Sequence, residues 1–423
     1  MIPAMRRLLL TLFLIAGFLI PAHAQSSKPI HLKAYIGGQQ RPDIMRDLFA
    51  QYMAANPGVK VTVEIGGATS DLHQKYLNTV LSARDSTLDI FFIDVIRPAQ
   101  FAAAGWAEPL DSYFGPDLES SLSQYLPAYR EANTVNGRVY SLPGFADSLF
   151  LYYRKDLLAK YNEPPPTTWP ELARVAKKIM QGENDPNLQG LSFQGKAVEG
   201  AVCTFLLPYW SLGGEIIRDG KTSFERDKAE AGLNMWRGMV NDGTAKKNSA
   251  EVATDDTRKE FQAGKVIFGV IWGYAWNHFQ SGVDTRVKDK VGVTTLPAMP
   301  GGKAVSCMGG WNWAASAFGK NKAASVALVR WLSSPAVSKQ LAMKGSFHPV
   351  FPAVYKDPEV INAVPWFADA LPVVETARAR PVTPVYRAIS DALRINTNTV
   401  MAGVKTPTQA LDEIEQRVAR ALR

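Results

Sequence analysis

Four stretches of this 423-residue chain gather residue types able to hold a polyhydroxylated molecule. The apolar run Ile90-Phe91-Phe92-Ile93 delivers Asp94 to a strand end, just ahead of Arg97-Pro98. In layered α/β folds ligands collect outside the carboxyl ends of strands, and a carboxylate there accepts hydrogen bonds well. An N-cap for the segment beginning near Pro98 is an equally good use of the same side chain. Asp147 stands similarly between Pro143-Gly144 and a strand from Leu149, although a lone aspartate there also suits a turn. Trp272-Gly273-Tyr274-Ala275-Trp276 follows the apolar run Val266 to Ile271 and sets three aromatics where glycine loosens the backbone. Most aromatic clusters are core, but this strand end argues for exposure into a cleft. Gly309-Gly310-Trp311-Asn312 either bends a strand or lets the backbone approach a ligand and offer its own N–H groups. Aromatic faces beside carboxylates and amides match sugars, which present an apolar face and a rim of hydroxyls.

Other chemistries find less support. Gly190 to Ala197 comes near a phosphate-binding loop, but Ala197 replaces the hydroxyl that would bind Mg²⁺ and no clear strand precedes it. The five histidines are scattered, with no HExxH and no CxxC, so neither a metal nor a cofactor is implied. Cys203 and Cys307 could pair in an oxidising compartment, yet both lie in apolar contexts that also suit buried free thiols. No basic run interleaved with aromatics marks a nucleic-acid surface.

The elements that must position these residues alternate in type. From Pro42 a helical stripe carries Ile44, Leu48 and Tyr52 with Met45, Phe49 and Met53 beside it, until Asn56-Pro57-Gly58 stops it. Val59, Val61, Val63 and Ile65 then alternate with polar residues as in a strand with one polar face. A second amphipathic helix places Leu72, Tyr76, Leu77, Val80 and Leu81 inward, and Leu88 to Val95 reads as a strand covered on both faces. Asn136-Gly137 marks a turn, with strands expected over Val139 to Leu142 and Leu149 to Tyr153. Thr168-Trp169-Pro170-Glu171 is a capping box for a helix to Met180. Val266 to Ile271 and Val291 to Leu296 are further strands, and a last helix starts at about Thr408. Helices alternating with strands predict a parallel, layered α/β sheet.

The chain opens with a basic n-region at Arg6 and Arg7, an apolar run from Leu8 to Ile20, and the small-x-small site Ala22-His23-Ala24. This predicts a cleaved export signal over 1–24 and a mature start at Gln25. The run is shorter than the roughly 20 residues that span a bilayer, and no cysteine at the cleavage point offers a lipid anchor. The expected location is the periplasm. The 47 Lys and Arg include Arg6 and Arg7, which leaves 45 basic against 39 acidic side chains and a net +6. About 400 mature residues exceed one hydrophobic core and suggest two domains.

These features together resemble the family 1 extracellular solute-binding proteins of ABC sugar importers, in particular the trehalose/maltose-binding branch. The marks are FFIDVI at 91–96, NGRVYSLP at 136–143, LYYRKDLL at 151–158, TWPEL at 168–172 and WGYAW at 272–276, followed by VGVTTLP at 291–297, GGWNWAAS at 309–316 and RPVTPVYRAISDAL at 380–393. The resemblance implies a two-lobed α/β fold of the type II, maltose-binding-protein-like kind, with the ligand in the cleft between lobes. It implies a first lobe of 28–139 plus 295–340, a second of 140–294 plus 341–423, and crossings near residues 140, 295 and 340. Asp94 and Asp147 match carboxylates that accept sugar hydroxyls, Trp272 and Tyr274 match stacking aromatics, and Gly309, Gly310 and Trp311 match a glycine-tryptophan contact. Arg380 matches a basic donor, and Gln39, Gln40 and Asp71 fall where polar contacts from the first lobe are expected. Tyr209, Trp210, Glu199 and His348 are further candidates that pattern alone does not separate from packing residues. Gly37-Gly38-Gln39-Gln40 is neutral where the family often has an acid, which leaves ligand identity open.

The function implied is a monomeric, non-enzymatic receptor that closes on an α-linked disaccharide such as trehalose, maltose or sucrose and delivers it to inner-membrane ABC permease subunits. One alternative is the same fold with a polyol, monosaccharide derivative or anionic sugar or phosphate ester. Another is a periplasmic glycoside hydrolase, which would need two carboxyls about 5 to 9.5 Å apart across one bond.

Overall fold

Pro42 fixes the first turn of the helix Pro42–Ala55, which buries Ile44, Met45, Leu48, Phe49 and Tyr52, the stripe read from the sequence. A computed structural model describes residues 29–423 except Ala68, so the expected export signal lies outside the described residues. The second helix, Ser70–Ser82, forms as expected but turns a different face inward. It buries His73, Gln74, Leu77 and Leu81, while Leu72 is exposed. The side chain of Thr69 caps the helix by accepting from the Leu72 N–H.

One sheet of nine strands runs through the molecule. Its members are β1 (Ile30–Gly37), β2 (Val59–Gly66), β3 (Ile90–Asp94), β4 (Leu142–Arg154), β5 (Gln189–Ser192), β6 (Val266–Trp272), β7 (Val291–Thr294), β8 (Ser306–Ala315) and β9 (Ala377–Arg378). The order is β2-β1-β3-β8-β4-β6-β5, with β7 on β4 and β9 on β8. The sheet is mixed rather than parallel. β1 pairs in parallel with β2 and β3, and β5 with β6, but β8 lies antiparallel to β3 and β4, and β4 antiparallel to β6 and β7. Local helix-strand alternation correctly gave the parallel parts; the antiparallel pairs join strands far apart in sequence.

The expected strand Val139 to Leu142 is broken at Tyr140-Ser141, and only its Leu142 joins the strand expected from Leu149, which begins earlier and runs through Pro143-Gly144. β4 runs unbroken over 13 residues, so Asp147 is a mid-strand residue and not a turn. Pro143 is tolerated because the register against β8 shifts between Trp311 and Asn312, a bulge that relieves the missing N–H. Residues 142–145 pair with 311–313 in the first half of the sheet, and 149–154 pair with β6 and β7 in the second. Asn136 and Gly137, both at positive φ, make the expected turn between Thr134–Val135 and Arg138–Val139. The capping box at Thr168 and Glu171 opens Trp169–Glu183, and another at Thr406 opens the last helix, Pro407–Ala421.

Apolar cores lie on each half. The first gathers Leu32, Phe49, Phe92 and Trp313 with neighbouring helices, and the second gathers Leu151, Trp169, Phe205 and Trp236 with Leu393 and Ile414. None of the described helices is long and apolar enough to cross a membrane.

Gly310 in β8 has φ of +118°, and a Cβ there would stand 2.5 Å from the Phe145 carbonyl oxygen. Gly310→Ala therefore combines a backbone penalty with a clash and should cost about 3 kcal/mol. Urea unfolding checks this, and a loss below about 1 kcal/mol would mean that the strand shifts freely.

Candidate functional site

The two long strands meet at the middle of the sheet, where Asp147 of β4 stands opposite Gly309 of β8, and Asp94 at the end of β3 stands opposite Trp311. Around this point lies a cavity of about 160 Å³. The eleven main candidates from the sequence line it: Gln39, Gln40, Asp71, Asp94, Asp147, Trp272, Tyr274, Gly309, Gly310, Trp311 and Arg380.

Asp94 does not cap the following helix. The N-cap of Pro98–Ala103 is Arg97, with no side-chain cap bond. The Asp94 carboxylate instead accepts from Ser70 Oγ (2.7 Å), the Ile96 N–H (3.4 Å) and Arg380 Nη2 (3.4 Å). Asp147 is held by the backbone alone, since its Oδ1 accepts the N–H groups of Gly273 and Ser148, each at 2.7 Å. Tyr129 lies behind it. The Tyr129 hydroxyl accepts the Asp147 N–H (3.1 Å) and sits 3.0 and 2.9 Å from the carbonyls of Asp147 and Gly309, tying the crossing strands together.

The glycines are required by neighbours. A Cβ on Gly309 would meet the Trp272 ring at 2.5 Å, so its absence lets that ring lie against β8. A Cβ on Gly273 would meet His348 Nε2 at 2.2 Å. Burial drives the His348 ring down to about 3, so it packs as a neutral ring behind the Trp272-Gly273-Tyr274 loop. Tyr152 holds the same loop by donating to the carbonyl of Gly273 (3.2 Å).

Arg380 is 5% exposed and lies among carboxylates. Its Nη1 donates to Glu199 Oε1 (2.9 Å), while its Nη2 reaches Asp94 and the Met308 carbonyl (3.3 Å). Glu199 also accepts from Ser390 Oγ (2.6 Å) and the Tyr386 hydroxyl. Across the cavity the Glu199 N–H donates to Asp71 Oδ2 (3.3 Å). At the cavity edge Asp255 is gripped by Arg258 (2.6 Å) and Lys259 (2.9 Å); burial alone would raise its carboxyl, but these cations hold it down to about 2.

Glu199, a lesser candidate, belongs to the site, whereas Tyr209 and Trp210 are buried in the helix Gly200–Ser211 and do not line the cavity. Ser70, Thr254 and Asp255 line it and carried no distinct signal; each is an ordinary helix-start residue. Cys203 and Cys307 are both buried, with sulfurs 2.6 Å apart. Among the described residues no cluster of His, Cys, Asp and Glu suits a metal ion.

This geometry has relatives. Residues 38–339 match the family profile of the bacterial extracellular solute-binding proteins. The chain belongs to that family. It is 35% identical over 367 residues to a probable ABC transporter-binding protein of Deinococcus radiodurans, covering 83% of this chain and 84% of the relative. Among solved structures it superposes on the maltose-bound MalE3 of T. maritima with a TM-score of 0.85 at 30% identity, covering 92% of this chain and 99% of the other. An Agrobacterium radiobacter solute-binding protein in complex with ribitol shares the fold, with a TM-score of 0.83 at 22% identity over 93% and 100% of the two chains. The fold is thus the two-lobed, maltose-binding-protein-like one that the sequence motifs imply.

Burial pushes the Asp147 carboxyl up to about 7, against the downward pull of the N–H groups of Gly273, Ser148 and Tyr274. Between about pH 4 and 7 the native state thus keeps a proton that the unfolded chain has released, so this group lowers stability as pH rises through that window. Asp147→Asn cannot ionise, so the melting-temperature difference should move in favour of the variant from pH 4 to 7 and then level. A difference independent of pH would mean that Asp147 is ionised throughout.

Proposed function

We propose that this chain is a periplasmic receptor that holds a sugar or polyol between its lobes and passes it to the permease subunits of an ABC transporter. The carrying observation is the meeting, in one cavity, of the Trp272 and Trp311 rings with Asp94 and Asp147, supplied by four different strands. Rings and carboxylates so disposed complement a pyranose, whose C–H face is apolar and whose rim donates hydroxyls. An α-linked disaccharide such as trehalose, maltose or sucrose is the first choice of ligand, in keeping with the maltose named for the T. maritima relative. A polyol is the second, in keeping with ribitol.

In this reading the lobes comprise 28–139 plus 295–340 and 140–294 plus 341–423, joined through the middles of β4 and β8, and the protein acts as an exported monomer. Ligand contacts to both lobes favour the closed form. A micromolar dissociation constant needs about 8 kcal/mol. Several hydrogen bonds at roughly 0.5 to 1.5 kcal/mol each with one or two aromatic contacts supply that after the ordering cost. Catalysis is not part of the proposal. Asp94 accepts from Ser70 and Arg380, and Asp147 Oδ1 accepts backbone N–H groups, so both carboxyls are held in place to meet ligand hydroxyls.

A thermal-shift screen of trehalose, maltose, sucrose, longer α-glucans, ribitol and mannitol should give a saturable rise in melting temperature with at least one of them. For that ligand Trp272→Ala should weaken binding by about 2 kcal/mol, roughly thirtyfold, with the fold intact by circular dichroism. Unchanged affinity would remove Trp272 from the site, and release of monosaccharide by purified protein would replace the receptor with a hydrolase.

A further inference from the structure

We infer that the cavity selects its ligand by charge: it takes a neutral sugar or polyol, tolerates an ammonium group on it, and rejects the same molecule bearing a phosphate or carboxylate. The inference rests on the reading that a sugar or polyol occupies the cavity.

Arg380 is the one basic side chain among the lining residues, against the carboxylates of Asp71, Asp94, Asp147, Glu199 and Asp255. Its two terminal nitrogens are already engaged, and only its buried Nε lacks a partner among the described residues. Both terminal nitrogens bond to Glu199, Asp94 and the Met308 carbonyl, and its side chain is only 3% exposed. An incoming anion would have to displace a buried carboxylate from it, leaving that carboxylate unpaired at high cost. Other nearby cations are likewise occupied. Arg258 and Lys259 grip Asp255, Arg394 is bound to Asp391 and the Ala197 carbonyl, and Arg97 donates to Gln100 outside the lining.

Three helices, Ser70–Ser82, Gly200–Ser211 and Thr254–Gln262, begin at the cavity wall, and helix N-termini ordinarily attract anions. Here one donor at or beside each end is taken by a side chain of this chain, and an acidic side chain (Asp71, Asp71 and Asp255 respectively) already stands at each of these ends or across from it. Thr69 Oγ1 accepts the Leu72 N–H (3.2 Å), Asp71 accepts the Glu199 N–H, and Asp256 accepts the Ala253 N–H (2.9 Å). Apart from the buried Arg380 Nε, what stays open on the lining is neutral or negative. The Gln40 amide is buried with neither its oxygen nor its nitrogen partnered among the described residues, and Asp147 has only backbone donors. Such groups accept and donate to hydroxyls, and an ammonium would find Asp71, joined by Asp147 above about pH 7, with no cation paired to it among the described residues. At an effective dielectric of about 20, one uncompensated carboxylate about 6 Å from an added anion corresponds to roughly a hundredfold loss of affinity.

Two measurements on the full mature protein decide the matter. Calorimetric titration with glucose, glucosamine and glucose 6-phosphate, and with mannitol and mannitol 1-phosphate, should show each phosphate binding at least about tenfold more weakly than its parent, and glucosamine within about threefold of glucose. A phosphate that binds as tightly as its parent overturns the inference while leaving the sugar reading in place. Silence of every neutral probe in this set and in the thermal screen overturns the sugar reading instead. The second measurement needs no ligand. Val198 lines the cavity, is half-buried and makes no side-chain polar contact, so Val198→Cys reports local potential through its alkylthiolation rate. The native Cys203 and Cys307 are fully buried and serve as the unreactive background. With rates normalised to free 2-mercaptoethanol, a cationic methanethiosulfonate should outpace an anionic one by about tenfold or more. Adding Asp71→Asn and Asp94→Asn should shrink the ratio. Equal rates, or a faster anionic reagent, overturn the inference whatever the sugars do.

Discussion

Everything at the centre of this molecule depends on β4 and β8 crossing it side by side in opposite directions. The pairing places Asp147 opposite Gly309 and Phe145 opposite Trp311, and on its other edge β8 brings Trp311 to Asp94. Both strands are buried at the crossing, so their side chains there are mostly small or apolar. Gly309 and Gly310 follow from this. One makes room for the Trp272 ring, and the other takes a positive φ against the Phe145 carbonyl. Tyr129 pins the arrangement through one hydroxyl that reaches both strands.

Charge is arranged around that crossing at some expense. Arg380, Glu199 and Asp94 are all nearly buried, and removing ions from water costs several kcal/mol each unless their bonds are satisfied. The bonds are largely satisfied by Ser70, Ser390, Tyr386 and the Met308 carbonyl. The network joins residues from distant parts of the chain, and through Asp71 and Glu199 it reaches across the cavity. A polar interior held this way is rigid in its donors and acceptors, which is what recognition of a hydroxyl-rich ligand requires.

Much of this was legible in the sequence, for physical reasons that differ by residue. Asp94 and Trp272 were found because an apolar strand that ends in a polar or aromatic residue is a local pattern, and capping boxes such as Thr168-Glu171 are equally local. The glycine pair stood out because adjacent glycines permit a bend or a close approach, whereas Arg380 was placed only through a family motif. Asp147 was found but misjudged as a possible turn residue, because Pro143-Gly144 ordinarily breaks a strand and the bulge that absorbs it depends on β8, far along the chain. The mixed sheet was missed for the same reason. Leu72 was assigned inward by periodicity, yet His73 takes the buried place, its ring bonded to the Phe92 carbonyl of β3. Ser70, Asp255 and Tyr129 gave no signal, since only the folded chain brings two helix starts and a buried phenol to the crossing.

The most direct test of a ligand held jointly by both lobes is a crystal structure of the mature protein grown with the sugar or polyol that most raises its melting temperature. The account predicts ligand hydroxyls within hydrogen-bond reach of Asp94 and Asp147 at once, with a C–H face against the Trp272 ring. A ligand bound to one lobe alone, or outside this cavity, would contradict it.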